Sequence, residues 1–247
     1  MSFKNILCFG TLNPDLIYFV DELPGKGDDI RSLKFSMRPG GTAINCSELI
    51  SLWNKSVEVR GNSIGSDPMG NYLIDYLKEN NIKFDGLIID QSVTPTCSIF
   101  VDSSGERTIV SSGYEGLEWS NFENLNNFDS LIIDRYSIKF VKDKLKDLKK
   151  DNNLFICQAG YEYEIYYKLD FLIVSKDEIS VDEANNLIDS ATPTCSIFVD
   201  SSGERTIVSS GYEGLEWSNF ENLNNFDSLI IDRYSIKFIK DKLKDLK

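Results

Sequence analysis

Histidine is absent from the 247 residues, proline occurs six times, methionine and tryptophan three times each, and basic residues fall short of acidic ones, 26 against 39. Each shortage removes a class of function. Without imidazole there is no Ser-His-Asp or Cys-His hydrolase and no His-ligated zinc site, so any proton transfer near neutral pH falls to a carboxylate. A formal charge of -13, spread along the chain in mixed clusters, disfavours nucleic-acid backbones and anionic membranes as partners. C-x-x-C spacing is missing too. The five cysteines, Cys8, Cys46, Cys97, Cys157 and Cys195, stand singly inside apolar stretches, which is the pattern of reduced, buried thiols. Long apolar runs do not occur near the start, where MSFKNILCFG breaks at Gly10, too early for a signal-peptide core or a bilayer span. A cytoplasmic location is the expectation.

What is present is a globular composition, with 41% hydrophobic residues, enough for a real core at this length. Apolar runs of four to seven residues alternate with longer amphipathic stretches, the sign of βαβ units and a mostly parallel sheet covered on both faces. NILCFG reads as the first strand. DLIYFVDEL and DIRSLKFSM, around the turn-rich PGKGDD, suit a hairpin or flap lying off the main sheet. GTAINCSELISLWN reads as a helix with Ile44, Leu49, Ile50 and Leu52 on one side, and DPMGNYLIDYLKENN as a helix with Asp67 at its start and Pro68 in the first turn. FDGLIID is a strand or sheet edge. TPTCSIFVDSSGERTIV is a hairpin whose Gly105 supplies the positive φ of a tight turn, antiparallel structure inserted into a parallel pattern. FDSLIID, NLFICQ and DFLIVS follow as buried parallel strands, and SVDEANNLI is a helix with Ser180 as cap and Glu183 three residues on.

Residues 94–149 recur as 192–247 at an offset of 98, with Val141 against Ile239 as the only difference in 56 positions. Ordinary structural repeats share buried positions and turn glycines while exposed positions drift. Here the solvent-facing Lys and Asp of KFVKDKLKDLK match as well, which is the mark of a recent duplication or an assembly artefact. The expected organisation is a core at 1–191, with lid strands at about 12–37 and 94–110, and a copy at 192–247.

Several stretches, in order, resemble the ribokinase-like (PfkB) carbohydrate kinases. GTLNPDLIY resembles that family's opening strand with Asn-x-Asp, and RPGGTAINCS its Gly-Gly-x-x-x-Asn helix entry. GNSIGSDPMGNYLIDYLKENNI is similar to the strand and helix that follow, TPTCSIFVDSSGERTIV to the lid hairpin, and DFLIVSKDEI to the strand ending in Asn/Ser-x-x-Glu. The resemblance covers residues 4–187 and implies a three-layer α/β/α fold with a small antiparallel β lid. It departs from the family pattern at GNSIGSD, one residue longer than Gly-x-x-Gly-x-Asp, and at Asn54, where Gly is common.

The chemistry of those residues can be stated independently of the family. A sugar presents adjacent hydroxyls, so a carboxylate and an amide at one strand end, Asp15 and Asn13, can accept from and donate to a diol while Asn45 reaches it from a helix start. Gly40 and Gly41 remove side chains where a substrate approaches backbone. The other reading is a tight turn with Asp15 as a solvated strand-end acid. Asp134, ending LIID, is a further sugar-contact candidate or a helix cap. Arg107 and Arg135 are phosphate candidates or surface charge. By resemblance, Glu178 in SKDE takes the place of the acid that holds water around magnesium and phosphates, with Ser175 where many members have Asn.

The resemblance implies ATP and magnesium, and a last third in which Asp-Thr-x-Gly-Ala-Gly-Asp opens a helix and supplies the catalytic base and the anion hole. No such motif occurs in this sequence, nor a G-x-x-x-x-G-K-[ST] or G-x-G-x-x-G; PGKGDD and SIGSDPMG come nearest. The expectation is therefore no catalytic residue, no metal ligand and no nucleotide site among these residues, and no turnover by the chain alone. The readings are a sugar kinase, a sugar- or nucleoside-binding module without turnover, and a rearranged fragment. The partner is a small sugar or sugar-like alcohol, together with a homodimer through lid strands or exchange of the duplicated segment.

Overall fold

The structure is a computed structural model that describes residues 4–53, 55–152, 154–160, 169–174, 194–199 and 205–210. Met1–Gly211 form one compact unit; the second unit, Tyr212–Lys247, lies outside the described residues. So do Ser175, Glu178, Ser180 and Glu183.

The strands, in chain order, are β1 (Asn5–Gly10), β2 (Asn13–Phe19), β3 (Lys34–Gly40), β4 (Ser56–Gly61), β5 (Ile64–Gly65), β6 (Lys83–Phe84), β7 (Ile88–Ile89), β8 (Thr96–Val101), β9 (Arg107–Ser112), β10 (Ser130–Asp134), β11 (Phe155–Ala159), β12 (Phe171–Val174), β13 (Thr194–Val199) and β14 (Arg205–Ser210). The described helices are α1 (Thr42–Leu52), α2 (Pro68–Glu79) and α3 (Ile138–Asn152). The main sheet runs β14-β13-β12-β11-β10-β1-β4-β6, parallel throughout except for its last pair, β13 with β14. A separate four-stranded sheet, β3-β2-β8-β9, forms the lid. The mostly parallel main sheet is the one expected from the alternating apolar runs; the small sheet, expected to be antiparallel, is mixed, because β2 and β8 run parallel while β2–β3 and β8–β9 are antiparallel.

Alternation along β1 divides the core in two. Leu7 and Phe9 face one side with Leu131, Ile133 and Ile156, covered by Val141 and Leu145 of α3. Ile6 and Cys8 face the other, with Val57 and Val59 against Ile44 of α1 and Leu73 and Leu77 of α2. Cys8 and Cys157 are both forced upward in pKa, chiefly by burial, Cys157 to about 12, so they are inert thiols at neutral pH.

Two further expectations change. The buried face of α1 is Ala43, Ile44, Ser47 and Ile50, whereas Leu49 and Leu52 are exposed. At 100° per residue, Leu49 and Leu52 project away from the Ala43-Ser47-Ile50 line, so grouping Ile44, Leu49, Ile50 and Leu52 on one side was wrong. FDGLIID is also not one strand. A Cβ on Gly86 would overlap the Phe84 ring, and β6 lies at the edge of the main sheet while β7 pairs with β5 in another.

Asp67 caps α2 as expected, accepting from Gly70 N at 2.7 Å, and it also ties down the lid, accepting from Thr94 N at 2.8 Å and Thr94 Oγ1 at 2.7 Å. Burial alone raises its pKa, but the hydrogen bonds from Thr94, Gly70 and Met69 together outweigh it, and the carboxyl lies below its ordinary 3.8. A lowered folded-state pKa contributes stability that is full above the unfolded value and is lost as pH falls through the folded one. The expected result is that Asp67→Asn weakens the chain at pH 7 and flattens the loss of stability below about pH 4, read as urea midpoints across pH.

Candidate functional site

The site is built where β1 ends, β2 begins and β3 runs into α1. Register places Asn13 opposite Gly40 and Asp15 opposite Arg38 on β3, while Asp15 pairs with Cys97 of β8 on its other side. Asn13 is buried, 2% exposed, and its Nδ2 donates to Asp15 Oδ1 at 2.7 Å and to Pro14 O at 3.3 Å. Asn13 thus orients the carboxylate. Asp15 is half-buried, and its Oδ2 has no hydrogen-bond partner among the described residues. Burial is the larger effect on its pKa and raises it; the Asn13 hydrogen bond pulls the other way. Asn45, one turn into α1, is exposed, and its side chain bonds to no described residue.

The two glycines are needed for packing. A Cβ on Gly40 would overlap the Asp15 carboxyl group, so the missing side chain makes room for the acid. Gly41 has φ +84 and would drive a Cβ into the Thr11 carbonyl. Asp15 and Thr11 thus occupy the space that a side chain at either glycine would need. Gly41→Ala combines a backbone conformation nearly confined to glycine with a backbone overlap, and is expected to lower stability by about 3 kcal/mol in equilibrium unfolding.

Asp134 departs from its sugar-contact reading. It is 1% exposed, and both oxygens are spent: Oδ2 accepts from Thr11 N at 2.7 Å and Thr11 Oγ1 at 2.8 Å, while Oδ1 accepts from Tyr136 N at 3.0 Å and Ser137 N at 2.8 Å. Asp134 N in turn donates to Ser137 Oγ at 3.0 Å, so Asp134 caps the turn into α3. It also clamps the β1–β2 turn. Arg107 is exposed on β9, and Arg135 lies with its guanidinium over the Tyr136 ring; neither is brought to Asp15 by a contact shown among the described residues.

Sequence reasoning passed over Tyr114. It follows the lid hairpin, with its hydroxyl 3.5 Å from Cys97 Sγ, beside the strand position of Asp15. Burial first, then Cys97 and the nearby Asp15 carboxylate, push the phenol pKa up, so it keeps its proton and can donate. Only the flanking glycines of SSGYEG, Gly113 (φ 78) and Gly116 (φ 71), hint that the backbone is specially bent there.

Among the described residues no three His, Cys, Asp or Glu side chains are placed to share a metal ion. The Gly-Gly entry to α1 is not an open anion cradle either, because Thr42 N donates to Thr11 Oγ1 at 3.1 Å and Ala43 N to Thr11 O at 3.2 Å. The start of α2 is filled by the Asp67 carboxylate, which repels phosphate.

A family model described as pfkB family carbohydrate kinase matches residues 4–153. A ribokinase of Dictyostelium discoideum is 28% identical over 192 residues, covering 71% of this chain and 60% of the relative. A ketohexokinase of Mus musculus is 30% identical over 112 residues, 44% of this chain and 37% of the relative. The chain thus spans less than two thirds of the length of these relatives. Among solved structures, the ribokinase from Cryptococcus neoformans var. grubii serotype A in complex with ADP superposes with a TM-score of 0.65 at 16% identity, over 85% of this chain and 76% of that one, a likeness of fold.

Proposed function

Because the chain belongs to the pfkB family of carbohydrate kinases, we propose that its 247 residues hold the sugar half of a carbohydrate kinase site and bind a small sugar or sugar-like alcohol. The observation that carries the reading is the Asp15 carboxylate, oriented by Asn13, with one oxygen left over and the free amide of Asn45 on the neighbouring helix. A carboxylate oxygen and an amide suit adjacent hydroxyls, which both donate and accept. The ribokinase and ketohexokinase among the relatives point to pentoses and ketohexoses as first choices.

ATP with magnesium is the phosphoryl donor that family membership suggests. The chain by itself, on this reading, does not complete the transfer, since the sequence offers no Gly-Ala-Gly-Asp to deprotonate the alcohol and cradle the transferred group. Among the described residues no helix is long and apolar enough to cross a membrane. Titration calorimetry of the full chain with D-ribose, D-fructose and other pentoses and hexoses, beside ADP release with magnesium and ATP, tests this. Binding without ADP release supports it. Turnover overturns the binding-only reading, and silence in both assays leaves the fragment reading standing.

A further inference from the structure

Two hairpins of one sequence stand in different places. β8–β9 and β13–β14 share the strands TCSIFV and RTIVSS and the same internal register, Thr96 facing Ser112 and Val101 facing Arg107 in one, Thr194 facing Ser210 and Val199 facing Arg205 in the other. Each docks in the same manner, with its first strand parallel to the edge of another strand, β8 on β2 and β13 on β12. Among the described residues, Asp15 to Phe19 pair with Cys97 to Val101, and Leu172 to Val174 pair with Ser196 to Phe198.

A strand edge selects a partner by its backbone groups and by its alternating side chains, so it cannot distinguish two identical hairpins. We infer that the edge of β2 is a strand-addition site with two occupants in the same chain, and that the 194–210 hairpin leaves β12 to replace the 96–112 hairpin beside Asp15. At the offset of 98, Cys195, Ser209 and Tyr212 would then stand in for Cys97, Ser111 and Tyr114. Thr192 likewise repeats Thr94, the residue that Asp67 anchors.

Reach is sufficient. Residues 175–193 separate β12 from β13, 19 residues that extend to roughly 60 Å, while a globule of this size is roughly 40 Å across. A tethered hairpin also acts at an effective concentration of about millimolar. That favours the chain's own second copy over a hairpin from another molecule.

Position 15 tests the exchange because Asp15 is the register partner of Cys97 on the adjacent strand. In Asp15→Cys under mild oxidation, a disulfide to Cys97 reports the first copy on β2 and one to Cys195 reports the second. Trypsin places Cys97 in peptide 84–107 and Cys195 in peptide 177–205, whose masses differ, and fragment ions separate position 15 from Cys8. The expected result is linkage to both cysteines within single chains. Adding Ser98→Pro, which removes a backbone donor from the first copy only, should raise the Cys195 to Cys97 ratio about tenfold. Linkage to Cys97 alone, with and without Ser98→Pro, or linkage to Cys195 only between chains, overturns the inference. Should Asp15→Cys be insoluble, Ile17→Cys combined with Ile99→Cys or with Ile197→Cys reads the same two states: disulfides within single chains in both pairs support the exchange, and one confined to the Ile99→Cys pair overturns it. These readouts are linkages, not sugar binding, so the result stands apart from the function proposed above.

Discussion

Asp134→Ala lowers the unfolding midpoint by roughly 10 °C, the largest loss of stability expected from a single change at the site. The carboxylate is buried and accepts four hydrogen bonds, two from Thr11 and two from the turn into α3. Alanine leaves those donors without an acceptor in a place water does not reach. Removing one side of such a buried, charge-assisted set costs about 3 kcal/mol or more, and a domain of this size loses about 2–4 °C per kcal/mol. The damage also spreads to the candidate site. Thr11 Oγ1, held by Asp134, is the acceptor for the first N–H of α1, so the α1 entry that carries Gly41 and Asn45 loosens with it. Thermal unfolding by circular dichroism measures the shift; a midpoint within about 2 °C of the parent would mean the clamp is not structural.

Asp15→Asn should have the opposite signature, with sugar affinity lost and stability kept or raised. Its pKa is raised in the folded chain, mainly by burial, so the sign runs against that of Asp67. Stability from Asp15 is full below the unfolded value and is lost as pH rises through the folded one, so at pH 7 its ionised carboxylate is a burden on the fold. An amide removes that burden and still offers an oxygen to Asn13 Nδ2. A sugar diol, in contrast, loses hydrogen bonds to a charged acceptor, each worth about 1.5–3 kcal/mol, so affinity should fall roughly a hundredfold. Calorimetry and thermal unfolding on one preparation read both. Loss of affinity accompanied by a collapse in stability would turn Asp15 into a folding residue.

How much of this was legible depended on whether the signal was local. Strands such as NILCFG and FDSLIID declare themselves because a strand buried on both faces must be apolar at every position. Gly105 and Asp67 were readable for the same local reason, a tight turn and a helix cap within a few residues of each other. The partners of Asp134 divide along that line. Its bonds to Tyr136 and Ser137 belong to an ordinary cap, whereas those to Thr11 span 123 positions and belong to the tertiary fold. That a side chain at Gly40 would overlap the Asp15 carboxyl, on the paired strand β2, is not revealed by anything in RPGGT. Tyr114 was missed because a single tyrosine among glycines has no periodicity to read. The duplication was plain in the sequence; that its second hairpin lies on β12 was not, since identical strands carry identical local information.

A crystal structure of the full chain grown with saturating ribose or fructose tests the central claim most directly. The predicted result is two neighbouring sugar hydroxyls on the Asp15 carboxylate and Asn45 within hydrogen-bond reach, about 2.6–3.2 Å, with Asn13 still bonded to Asp15. A sugar seated elsewhere, with Asp15 turned away from it, would contradict the claim.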